Sequence, residues 1–156
     1  MKRLFVVCLF LSFGLAVSAW GADPFIGTWK VNTEKSKAST GQPGAKEEVV
    51  KIEEQGGNLL VTIKGTSAAG KAYSDQYTVP RKGGRVTYIS EAPATHFDEM
   101  KRIDEHTLDA TMIRDGKVVQ TVHGTVSPDG KTITLVGKGT DGQGRPLEYI
   151  EVQERQ

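Results

Sequence analysis

Beyond residue 24, apolar positions alternate with polar ones at a period near two, not the 3.6 of a helix. Val122-His123-Gly124-Thr125-Val126 and Ile133-Thr134-Leu135 show the alternation over short spans. Such a period sends successive side chains to opposite faces of a strand. Turn residues punctuate the runs at intervals of about 8–12 positions, as in antiparallel β proteins. The pattern predicts about ten strands, near 25–31, 47–54, 58–64, 73–79, 85–90, 96–103, 107–113, 117–126, 132–138 and 147–154.

The turns sharpen that reading. Gln55-Gly56-Gly57-Asn58, Lys82-Gly83-Gly84, Asp115-Gly116-Lys117 and Pro128-Asp129-Gly130-Lys131 each offer glycine where a hairpin needs positive φ. Asp104-Glu105-His106 fits a tight turn, and residues 139–144 make a looser one. Strands joined in sequence by short turns form a meander, and a long meander closes most easily into a barrel, which removes its exposed edges. The expected fold is therefore all-β: an antiparallel up-and-down β-barrel of about 8–10 strands. Residues 32–46 break the rhythm. They are polar and rich in Ser, Gly, Lys and Pro, and read either as a lid over a cavity or as a surface excursion, with a helical turn near Thr33–Ser36.

Residues 1–19 carry the three parts of a secretory leader: Lys2 and Arg3, an uncharged apolar run from Leu4 to Phe13, and small residues ending at Val17-Ser18-Ala19. The run is too short and too interrupted for a membrane span of about 20 residues. Cleavage is expected after Ala19, leaving one domain over 20–156 in the periplasm or medium, with no membrane span. The single cysteine, Cys8, would leave with the leader, so disulfide and thiol chemistry are excluded from the mature domain. The formal net charge of +1 and the absence of any basic run argue against nucleic acid as a partner.

Pro24-Phe25-Ile26-Gly27-Thr28-Trp29-Lys30-Val31 resembles the opening of the lipocalins and fatty-acid-binding proteins, the calycin group. The resemblance implies a barrel whose floor is closed by Phe25, Gly27 and Trp29. It also suggests that a basic residue such as Arg155 packs over the Trp29 ring. The chain is also similar, over most of residues 20–156, to exported bacterial proteins of no known activity that share the Gly27-Thr28-Trp29-Lys30 start and an Asp141…Gly144-Arg145-Pro146 segment. One departure matters. The Arg-x-Tyr with which fatty-acid-binding proteins hold a ligand carboxylate is missing, because Tyr149 has no arginine two residues before it. A fatty-acid function does not carry over.

Tyr77, Tyr88, Phe97, Met112 and Tyr149 lie on predicted strands with apolar neighbours two positions away, and are the candidate lining of a ligand cavity; a filled core would need the same residues. His123 joins them as an interior residue, either hydrogen-bonded or a haem ligand, with a surface position as the alternative. His106 is expected in solvent at its turn. His96 and Asp98 alternate onto one strand face, but two ligands do not make a metal site and no third is identifiable. No Gly-x-Ser-x-Gly elbow occurs, and the Asp-Gly turns lack the acidic density calcium requires. No metal, cofactor or catalytic residue is expected.

These features point to an exported, monomeric β-barrel that sequesters a small, largely apolar molecule. The alternatives are a filled barrel acting through its surface at the cell envelope and, behind it, a cyclase- or isomerase-like barrel enzyme. The enzyme would need a convergent polar pair, for which His96 with Asp98 is the only local candidate.

Overall fold

A computed structural model describes residues 23–41 and 45–156; the expected leader and its cleavage point lie outside them. Among the described residues every regular element is a strand: β1 (Gly27–Val31), β2 (Lys37–Ala38), β3 (Ala45–Gln55), β4 (Asn58–Ser67), β5 (Ala72–Pro80), β6 (Gly83–Arg85), β7 (Thr87–Tyr88), β8 (His96–Arg102), β9 (Thr107–Arg114), β10 (Lys117–Val126), β11 (Thr132–Thr140) and β12 (Pro146–Arg155). All neighbours pair antiparallel, in the order β6-β8-β9-β10-β11-β12-β1-β3-β4-β5-β7, with β2 on β12. Within β3–β5 and within β8–β12 each long strand pairs with its successor, which is the up-and-down order the alternation predicts.

Closure departs from the expected pattern. The strand foreseen over 85–90 is two short ones, 83–85 and 87–88, flanking Val86. The first half bonds to β8, with Gly83, Gly84 and Arg85 opposite Lys101, Met100 and Glu99. The second bonds to β5, with Thr87 and Tyr88 opposite Thr78 and Tyr77. One segment thus changes partner midway and joins the two ends of the sheet.

The connections divide between two ends. Residues 23–26 and the turns after β3, β5, β8 and β10 form the floor. Residues 32–41 and the turns after β4, β9 and β11 surround the mouth. The floor carries the most buried residues: Trp29 is fully buried, with Phe25, Val126 and Ile133 around it.

Residues 32–41 are not a free loop. Ser36 donates its N–H to Asn32 O at 3.0 Å, giving the single helical turn foreseen there. Lys37 and Ala38 then pair with Ile150 and Tyr149 of β12. The Ser36 hydroxyl also accepts the Val152 N–H at 3.0 Å, pinning the strap to the barrel.

Candidate functional site

The site exists because β1 is short. Its last pairs are Val31 with Gln153 on β12 and Lys30 with Val49 on β3. Above that level the flanking strands run on towards the mouth, and the two-residue β2 occupies β12's free side. The barrel interior is hollow here: a cavity of about 980 Å³ runs between floor and mouth strap. Its walls are chiefly apolar, with Val50, Ile52, Val61, Ile63, Leu108 and Leu135 facing inward from β3, β4, β9 and β11. Thr33, Ser36, Lys37, Ala38 and Thr40 of the strap also border it.

Tyr77, Phe97, Met112 and Tyr149 line the cavity. Tyr88 stands beside it, packed on Tyr77 at 5.1 Å between ring centroids, and its hydroxyl accepts the Phe97 N–H at 3.2 Å.

His123 does not line it. On β10 the inward face is the even one, where Gln120, Val122 and Val126 are buried, so His123 points outward. It is 54% exposed and bonds to Asp109 at 2.7 Å. The correction was available in the sequence, since Val122 and Val126 alternate with His123 at period two.

His106 is corrected in the other direction. It is half-buried, with its Nδ1 buried and lacking a hydrogen-bond partner.

His96 and Asp98 do not act together. A bulge between Phe97 and Glu99 interrupts the alternation that would have aligned them. His96 Nδ1 lies 2.8 Å from Pro93 O, whereas Asp98 accepts from Arg85 at 2.6 Å.

The floor is built from the residues expected. Trp29 donates its indole N–H to Phe25 O at 2.9 Å, tying the strand to the segment before it. The guanidinium of Arg155 covers the indole. Asp23 is buried and takes the Arg102 guanidinium at 2.5 Å and that of Arg81 at 3.4 Å.

A polar cluster that the sequence reading overlooked lies higher in the wall. Glu48 of β3 and Glu151 of β12 both line the cavity, on either side of the gap left where β1 ends. Tyr73 of β5 reaches across β4 to donate its hydroxyl to Glu48. That reach requires Gly65, the β4 residue between them, since a Cβ there would stand 2.6 Å from the Tyr73 ring. Gly137 gives the same clearance to Tyr149, whose ring would lie 2.1 Å from a Cβ. Glu151 accepts a hydrogen bond from Gln153 at 2.7 Å.

Burial and the nearby Glu151 charge push the Glu48 carboxyl up to about 7, against the opposing pull of the Tyr73 hydroxyl. Burial likewise raises Glu151, despite its bond from Gln153. Asp75, on the same strand as Tyr73, is raised by burial too. A carboxyl titrating near neutrality beside a second one can hand on a proton or neutralise a cation. Among the described residues, neither Glu48 nor Glu151 forms a salt bridge with a basic side chain.

Fold and site together describe a hollow, nearly closed antiparallel up-and-down barrel with a tryptophan floor under an arginine. No protein-family model and no curated protein matches the chain. Among solved structures it is similar to the siderocalin Ex-FABP, described as functioning through dual ligand specificities. That match has 13% identity and a TM-score of 0.43, and covers 85% of this chain and 71% of the other. It is also similar to zebrafish ileal bile acid-binding protein complexed with cholic acid, at 10% identity and a TM-score of 0.43, over 85% of this chain and 99% of that one. At such values neither likeness extends to a ligand or a role.

Proposed function

We propose that this chain is an exported protein that binds a small, largely apolar molecule by enclosing it in the barrel. The observation that carries the reading is the cavity of about 980 Å³ beneath the 32–41 strap, walled mainly by aliphatic side chains. Ligand pockets commonly measure about 300–1,000 Å³, with apolar walls and a few placed polar groups. Enclosure removes apolar ligand surface from water at roughly 25 cal/mol per Å², without any chemical step. Export is supported by the three-part leader pattern of residues 1–19. The filled-barrel alternative has less support. Besides the cavity, the four exposed large apolar residues among those described lie on separate elements: Ile89 after β7, Ile103 after β8, Val118 on β10 and Ile150 on β12.

The test is to express the full chain in an exporting bacterial host and weigh the recovered protein under native and denaturing conditions. The expected result is a chain beginning at or near Trp20, carrying non-covalent mass that disappears on denaturation. An intact Met1 overturns export. An apo mass that persists after exposure to a library of lipids and other apolar compounds overturns sequestration.

A further inference from the structure

A cavity this apolar should carry few charges, and those it carries reveal what it was shaped to hold. Its basic groups are mostly already answered. Arg102 and Arg81 pair with Asp23, Arg81 also with Glu54, and Arg145 with Asp141, while Lys37 stands exposed on the strap. The two wall carboxylates are not answered. Among the described residues Glu48 has only the Tyr73 hydroxyl, and Glu151 only the Gln153 amide, which leaves two acidic groups facing one hollow with no counter-charge from those residues.

Burying a carboxylate without a cation is costly, and burying two within range of one another costs more. Both strains would be relieved by one positive charge between them. The position favours such a charge on a ligand: the carboxylates sit in the upper wall where β1 stops, under the strap, with apolar walls running on below towards the floor. A molecule with a cationic head at that level could extend an apolar body down the barrel.

We propose that the enclosed molecule is a lipophilic amine, its ammonium held between Glu48 and Glu151 and its apolar part packed in the lower cavity. This assignment rests on the sequestration reading above and deepens it. It reverses the charge logic of a fatty-acid carrier: carboxylates of the protein meet a cation of the ligand. An ammonium offers donors to both carboxylates, and charge-assisted bonds of this kind are roughly twice as strong as neutral ones. The elevated titration of Glu48 is the signature of the unfilled arrangement, and a bound ammonium would pull it back down.

The experiment compares three probes of equal chain length, decylamine, 1-decanol and decanoate. Each is titrated at about pH 7.5, where the amine is protonated, against protein loaded with the neutral fluorophore N-phenyl-1-naphthylamine. Decylamine is expected to displace the fluorophore at a concentration about tenfold or more below that of decanol, with decanoate the weakest. Glu48→Gln and Glu151→Gln are each expected to shrink the ratio of amine to alcohol, and the double variant to bring it near unity. Far-ultraviolet circular dichroism confirms that each variant is folded.

An amine no tighter than the alcohol, or a decanoate that equals it, overturns the proposal from the wild-type protein alone. So does a full amine preference in the folded double variant. If decanol and decanoate bind without any amine preference, sequestration stands and only the amine assignment falls. If the fluorophore and all three probes fail to bind, both fall.

Discussion

The guanidinium carbon of Arg155 lies 4.1 Å from the centre of the Trp29 ring. The two residues are cross-strand partners, one the last residue of β12 and the other the middle of β1. The guanidinium also donates to three carbonyls: Gly130 at 2.5 Å, and Ile26 and Pro24 at 2.8 Å each. One planar fork therefore ties the final strand to the first segment and to the β10–β11 turn, while capping the floor. Gly27 makes room for it; with φ at +152° and a Cβ that would stand 2.2 Å from Arg155 Nη1, no other residue fits there without displacing the arginine.

It follows that Arg155→Lys should behave almost like Arg155→Ala. A lysine keeps the charge but cannot reach three carbonyls and a ring at once. Each variant is expected to lose about 1–3 kcal/mol of stability in urea unfolding, with a changed Trp29 fluorescence maximum. A lysine variant as stable as the wild type would show that the fork geometry contributes little.

The acidic cluster predicts a pH dependence whose sign can be worked out. Glu48 is raised in the folded state to about 7 from a usual 4.5, so the folded chain holds a proton over an interval where the unfolded chain has released it. Protonated folded Glu48 therefore favours folding at low pH, and that advantage is lost as pH rises from about 4.5 to about 7. At about 1.4 kcal/mol per pH unit, the effect is on the order of 3 kcal/mol as an upper bound. The Glu48→Gln variant should match the wild type near pH 4.5 and exceed it in stability above pH 7. Denaturant melts of both proteins at the two pH values test this; parallel curves would count against a buried, unpaired Glu48.

Tyr73 works against that elevation by donating to Glu48. Removing the donor should push the carboxyl higher still. Tyr73→Phe is expected to raise the Glu48 titration midpoint, as followed by carbon-detected NMR of the side-chain carboxyl. Gly65→Ala should do the same by a different route, because the new methyl group occupies the space of the Tyr73 ring. An unchanged midpoint in both variants would remove Tyr73 from the cluster.

Most of the barrel was legible because period-two alternation and turn glycines are local signals. The long strands fall where the pattern puts them, and Phe25, Gly27 and Trp29 take the floor. The carboxylate cluster was not legible for a physical reason. Glu47-Glu48 reads as an ordinary charged pair; the alternation with Val50 and Ile52 does turn Glu48 inward, but nothing local to β3 shows that Tyr73 and Glu151 meet it there. The role of Glu151 depends on how far β1 extends beside it, which is a property of three strands and not of one. His96 and Asp98 failed because a bulge between Phe97 and Glu99, which the alternation does not announce, breaks their shared face.

The partner exchange at Val86 has a mechanical consequence. Along most of the wall, backbone bonds hold adjacent strands at a fixed spacing of about 4.8 Å. Between β5 and β8 the link is a three-residue β6 and a two-residue β7, and the interior side of that seam is filled by rings: Tyr77 meets Tyr88 at 5.1 Å and Phe97 at 6.0 Å. Ring contacts stay favourable over centroid separations of about 4.5–7 Å. At this seam the girth of the barrel can change by sliding aromatic faces, with the ladders on either side left whole.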